Sequence, residues 1–117
     1  IDIFTNVRFG MDTFDCVGPT RIARHGWALV KGAPKERVNL RNAQFMKDQD
    51  PIDSTCGCHA CKNHSKGYIH HLFRVGELLG MQLVSIHNVH TMNRLMRDVR
   101  QAIRTNTLEQ AKKQWVV

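Results

Sequence analysis

Apolar side chains recur at helical spacing only in the second half of the chain. Between Ser65 and Leu79, Tyr68, Leu72, Val75 and Leu79 return every three or four residues, with Ile69 and Phe73 beside them. This spacing predicts a helix, and Gly80 is a natural break after it. A second helix is expected from about Val84 to Thr105, burying Val89, Met92, Met96, Val99 and Ile103. A third helical fragment runs from Thr107 to Trp115. The first half has shorter periods. Residues 2–9 suit a short helix, with Asp2 as N-cap and Gly10 as stop. From Asp12 to Val17, Phe14 and Cys16 alternate with Thr13 and Asp15, the period of a strand, and Gly18 to Gly26 follows as a loop. Trp27 to Lys31 and Arg37 to Leu40 read as a hairpin around the turn Gly32-Ala33-Pro34-Lys35-Glu36. The polar stretch Asn42 to Thr55 is expected to be irregular.

The two long helices can pack on each other and on the hairpin, but the strand at Asp12 to Val17 has no such partner. A lone strand cannot bury both faces, and the sequence starts at Ile1 without methionine. Both features suggest a piece of a longer chain, since 117 residues allow one small domain. At 42% hydrophobic and 23% charged the sequence is neither disordered nor membrane-spanning, because no apolar run nears the roughly 18 residues a spanning helix needs. No charged-then-apolar leader is seen, so a cytoplasmic protein is expected. Seventeen basic against ten acidic residues give a formal net charge of +7, which suggests a polyanionic partner such as nucleic acid.

Three of the four cysteines fall within six residues, Cys56-Gly57-Cys58-His59-Ala60-Cys61. Neighbours that close do not easily reach disulfide geometry with one another. Metal binding is therefore expected, and zinc takes four such ligands in a tetrahedron. His59 is confined within the loop. His64, His70, His71, His87 and His90 remain as the fourth ligand, with His64 and His87 equally placed by local sequence. Cys58 and Cys61 also make a C-x-x-C pair, but no thioredoxin-like context surrounds them.

Arg21, Arg24, Lys31, Lys35, Arg37 and Arg41 crowd residues 20–41, with Glu36 the only acid, and such arginines can fork onto phosphate or base edges. A second basic stripe, Arg94, Arg97, Arg100 and Arg104, suits a solvated helix face. Asp15 stands near a strand end before a Gly-Pro loop, where a barrel enzyme would carry catalytic groups; Asp12 is its competitor.

The run Gly10-Met11-Asp12-Thr13-Phe14-Asp15-Cys16-Val17, with Pro19-Thr20-Arg21 and Ala23-Arg24-His25-Gly26, resembles the tRNA-guanine transglycosylases, or queuine tRNA-ribosyltransferases. The likeness continues through Asn39-Leu40-Arg41-Asn42-Ala43, Pro51-Ile52-Asp53, the cysteine triplet, Tyr68-Ile69-His70-His71-Leu72 and His87-Asn88. The helices are closest to the bacterial branch; Gly18 departs from a usually bulkier apolar residue. The resemblance implies an α/β fold, the C-terminal portion of a (β/α)8 TIM barrel with an inserted zinc-binding subdomain. Residues 1–25 would be the last barrel region and RNA-reading loop, 26–83 the zinc subdomain, and 84–117 the C-terminal barrel helices. It implies one structural Zn2+ on Cys56, Cys58, Cys61 and His87, Asp15 as nucleophile, and Arg21 and Arg24 as readers of the tRNA anticodon loop. The implied reaction exchanges the wobble guanine for a 7-deazaguanine base such as preQ1, or queuine, through a covalent ribosyl-aspartate. Dimerisation through the zinc region, with Tyr68 and His71 on one helix face, is also implied. The competing expectation is a non-catalytic zinc module that binds RNA or serves as a partner subunit.

Overall fold

In the computed structural model, residues 3–117 are described; the expected N-cap Asp2 lies outside them. Among the described residues, six α-helices and one hairpin follow in the order α1 (Ile3–Arg8), α2 (Gly18–Ala23), β1 (Trp27–Leu29), β2 (Arg37–Asn39), α3 (His59–Asn63), α4 (Lys66–Arg74), α5 (Leu78–Arg104) and α6 (Leu108–Trp115), with short 3-10 turns at Pro34–Glu36 and Ala43–Phe45. The strands pair antiparallel as Trp27 with Asn39, Ala28 with Val38 and Leu29 with Arg37. The hairpin is thus present and shorter than its sequence pattern.

The 27-residue α5 is the spine. Two cores lie along it. Toward its N-terminal end, Leu83 and Val84 join Ala23, Ala28, Leu40, Ile52, Ile69, Leu72 and the three clustered cysteines. Toward its C-terminal end, Leu95 and Val99 join Ile3, Phe4 and Trp115. The apolar face is rotated from the one expected. Val99 is buried, but Val89 and Ile103 are exposed, at 45% and 56%.

Three local expectations fail for physical reasons. Residues 12–17 form no strand, because a strand needs a neighbour to take its backbone hydrogen bonds and none is present among the described residues. Gly18–Ala23 is helical where a loop was expected; Pro19 starts the first turn, and Pro19 and Ala23 are buried. The helix expected over Ser65–Leu79 ends at Arg74. Gly76 takes φ +75°, a left-handed conformation open to glycine, and α5 begins two residues later. Gly80, expected as the stop, lies inside α5. A Cβ there would stand 3.1 Å from Leu72 Cβ and 3.3 Å from the Phe73 ring, so the glycine permits the close approach of α4 and α5.

Candidate metal centre and the loop beside it

The cysteine loop is shaped before any metal is considered. The Asp53 carboxylate accepts from the Thr55 backbone N–H at 2.8 Å and from its hydroxyl at 2.7 Å. The Cys56 N–H donates to the Asp53 carbonyl. Arg94 reaches across from α5 to Asp53 at 3.7 Å and donates to the Thr55 hydroxyl at 3.0 Å, so the first arginine of the basic stripe is a strut of this loop. Cys58 is the N-cap of α3, its Sγ accepting from the Cys61 N–H. Ser65 caps α4 in the same way through the Tyr68 N–H. These caps turn three cysteines inward within six residues.

The fourth group comes from α5. His87 is fully buried, and its Nδ1 lies 3.7, 3.6 and 3.3 Å from the Sγ atoms of Cys56, Cys58 and Cys61. All four donor atoms fall within 4.8 Å of one another. Tetrahedral zinc with thiolate bonds of about 2.3 Å and an imidazole bond of about 2.0 Å requires S···N edges of about 3.5 Å. The site therefore fits the ion. The far side of the ring fits too: Nε2–H donates to the Leu29 carbonyl at 2.7 Å, which leaves Nδ1 with the lone pair that a metal needs.

Burial opposes ionisation of all three thiols. At Cys58 it is outweighed by the contact with His87 Nδ1 and by the Cys61 N–H, which bring the thiol down to about 6; the proton that Nδ1 and this sulfur share in the metal-free site gives way to the lone pair when a metal binds. Burial pushes the Cys56 and Cys61 thiols up, and the charge on Cys58 adds to the effect at both. Three adjacent thiolates are thus unfavourable without a cation among them, and a divalent ion removes that conflict.

His64, the equal candidate by local spacing, is outside the cluster; its ring stacks on Tyr68 at 5.1 Å. His70 is buried and bonded to the Leu40 carbonyl. Tyr68 and His71 are both exposed on α4.

Asn88, whose sequence context marks it only as the neighbour of His87, joins the metal centre to the loop with Asp15, Arg21 and Arg24. It is fully buried. Its Oδ1 accepts from the Leu29 N–H at 2.8 Å, and its Nδ2 donates to the carbonyls of Pro19 and Trp27 at 2.9 and 3.0 Å. The pair His87-Asn88 thereby holds both polar groups of Leu29 and the first turn of α2. The signal available in the sequence was an asparagine beside a candidate ligand on a helix with an otherwise apolar face.

Arg21 lies in α2 and Arg24 caps its end, both exposed. Asp15 is exposed on the rim of an open cleft of 710 Å3, lined also by Phe14, Pro19, Lys35 and Arg37. The metal centre is separate from this cleft, since none of its ligands lines it.

The family model for queuine tRNA-ribosyltransferase matches residues 1–117. The chain belongs to the queuine tRNA-ribosyltransferase family. It is 45% identical over 116 residues to the queuine tRNA-ribosyltransferase of Roseiflexus sp. (strain RS-1), covering 98% of this chain and 29% of that protein. It is 46% identical over 114 residues to that of Prochlorococcus marinus (strain MIT 9303), 97% and 30% of the two chains. To that of Synechococcus sp. (strain CC9902) it is 55% identical over 94 residues, 80% and 24%. The chain therefore spans less than a third of the length of these curated relatives. Within the family, Cys56, Cys58, Cys61 and His87 make up the zinc site of this chain.

Proposed function

We propose that this chain is the C-terminal part of a tRNA-guanine transglycosylase, bearing the nucleophile, part of the RNA-reading surface and the structural zinc. The observation that carries this reading is the family match across residues 1–117, which includes the segment with Asp15. The alternation at Asp12 to Val17 then belongs to the last strand of a (β/α)8 barrel, paired with a strand outside this sequence. Residues 1–25 supply that strand and the loop after it, 26–83 the zinc subdomain, and 84–117 helices that return to the barrel.

The reaction is a double displacement. The Asp15 carboxylate forms a C–O bond to the anomeric carbon of the target ribose as the bond to guanine breaks, and guanine leaves with a proton from a second acid/base group. The incoming 7-deazaguanine base, such as preQ1 or queuine, then bonds to that carbon, gives up its N–H proton and releases the carboxylate. Arg21 and Arg24 suit contacts to anticodon-loop nucleotides next to the target. When bound, zinc supplies structure: its four ligands are protein side chains, which leaves no open coordination position. Tyr68 and His71 form an exposed patch suited to a homodimer contact. The setting is cytoplasmic, where tRNA is modified.

The test is Asp15→Asn in the complete enzyme. Base exchange should fall below detection while tRNA binding stays within about twofold, since the amide keeps the shape without the nucleophile. Undiminished exchange would refute the assignment. Unchanged tRNA binding on replacing both Arg21 and Arg24 by alanine would instead favour a zinc module that meets RNA elsewhere.

A further inference from the structure

The turn that closes the hairpin is bent in a way its residues do not favour. Lys35 has φ +57° and ψ +23°, and Glu36 has φ +55°. This left-handed region is the default of glycine, and any other residue is held there at a cost in free energy. The hairpin supplies the restraint. The Glu36 N–H donates to the Ala33 carbonyl at 2.8 Å, and the Glu36 carbonyl accepts from the Val30 N–H at 2.9 Å. A lysine kept where glycine would sit without strain points to a use for its side chain.

Lys35 and Arg37 line the open cleft of 710 Å3 on which Asp15 stands. Glu36, between them, lines it too, so the hairpin tip carries two cations to one acid. Arg37 is exposed yet braced: its guanidinium carbon lies 4.8 Å from the centre of the Trp27 ring. Trp27 is fixed in turn. It pairs with Asn39 across the hairpin, and its carbonyl accepts from the buried Asn88 amide at 3.0 Å. Neither cation makes an ion pair among the described residues. The forked N–H groups of Arg37 are thus held in place ahead of a ligand, which lowers the ordering cost of binding one.

We propose that the hairpin tip is a backbone clamp of the Asp15 cleft, in which Arg37, positioned by Trp27, and Lys35 hold RNA phosphates beside the target ribose. The inference rests on the tRNA reading above and deepens it. Arg21 and Arg24 belong to α2 and its cap and do not line this cleft, so the clamp is a second set of contacts. The guanidinium spans two phosphate oxygens, and the ammonium acts as a point charge. Phosphate contacts fix position and carry no base identity. The clamp therefore sets where the ribose lies, and the anticodon is read elsewhere.

The test uses the complete zinc-loaded enzyme and an anticodon stem-loop RNA. Lys35→Gly separates fold from binding, because glycine suits the backbone: the melting temperature should hold or rise while RNA affinity falls about threefold. Arg37→Ala should weaken binding about tenfold and lower the slope of log affinity against log salt by about one. Arg37→Lys should restore the slope and only part of the affinity. KM for RNA should rise more than kcat falls, equally for RNAs of different anticodon. Trp27→Leu should cost part of the Arg37 effect and nothing more once Arg37 is alanine, whereas Trp27→Phe keeps an aromatic face and should bind like the parent. Should Trp27→Leu fail to fold, the two exposed cations still decide. Base exchange by the parent enzyme checks the underlying reading separately, and without it both fall. If the parent exchanges bases but Lys35→Gly and Arg37→Ala leave affinity and salt slope unchanged, the clamp is wrong and the reading stands. A loss of affinity that varies with the anticodon, or that leaves the salt slope intact, would also overturn the clamp.

Discussion

Two adjacent residues, His87 and Asn88, carry most of the wiring. The imidazole bridges the cysteine triplet and the Leu29 carbonyl, and the amide satisfies Leu29, Trp27 and Pro19. Replacing Asn88 by alanine strands three backbone groups at once, those of Leu29 and Pro19 in buried bonds and that of Trp27 in a part-buried one. Leaving even one such group unpaired costs about 1–3 kcal/mol, so Asn88→Ala should lose about 3 kcal/mol in urea unfolding. Zinc content should stay at one per chain in the folded protein, because His87 keeps its own bond to Leu29. A loss under about 0.5 kcal/mol would show that water replaces the amide. The metal ligands were readable because cysteine spacing is a chemical signal; the histidine was not, because its selection depends on α5 returning past the cysteine loop. Only the family resemblance singled out His87 over His64.

At the scale of elements, the helix boundary between α4 and α5 turns on two glycines with opposite duties. Periodicity runs straight through Val75 and Leu79, so the sequence pattern reads as one helix ending at Gly80. Both residues are exposed, however, at 54% and 39%, and the break is set at Gly76 by its left-handed backbone. Apolar spacing cannot distinguish a glycine needed for φ from one needed for closeness. Gly80→Ala separates the two duties. Alanine in a helix gains about 1 kcal/mol over glycine, while overpacking a tight contact costs about 1–3 kcal/mol. The obstructing atom is the Cβ of buried Leu72, which cannot swing aside, so the contact wins. The melting temperature should drop by about 4 °C, and a rise would mean that α4 yields freely. The missing strand at residues 12–17 has a different cause. Its alternation was legible, but pairing is a property of two segments, and no second segment lies beside it among the described residues.

For the whole molecule, α5 links two cores, and the metal site lies in one of them. The core at the N-terminal end of α5 gathers around the three cysteines, and α5 extends from there to the second core. Zinc binding should displace about three protons per site near neutral pH: those of Cys56 and Cys61, and the one that the Cys58 sulfur and His87 Nδ1 share. Calorimetry in buffers of different ionisation enthalpy counts them; release of none would mean that the thiols are ionised beforehand. The sign for pH follows: protons compete with zinc, so affinity falls as pH is lowered through 6, where Cys58 also protonates. Stripping the metal with a chelator should unfold the region around the hairpin and α3 while leaving the Trp115 core less affected, as seen by hydrogen exchange.

The activity proposed for this chain rests on one oxygen of one side chain. The most direct measurement traps the complete enzyme on tRNA after guanine has left, digests it, and maps the ribosylated residue by mass spectrometry. The account predicts a ribosyl ester on Asp15. An adduct on Asp12 or any other residue, or base exchange with no covalent intermediate, would contradict it.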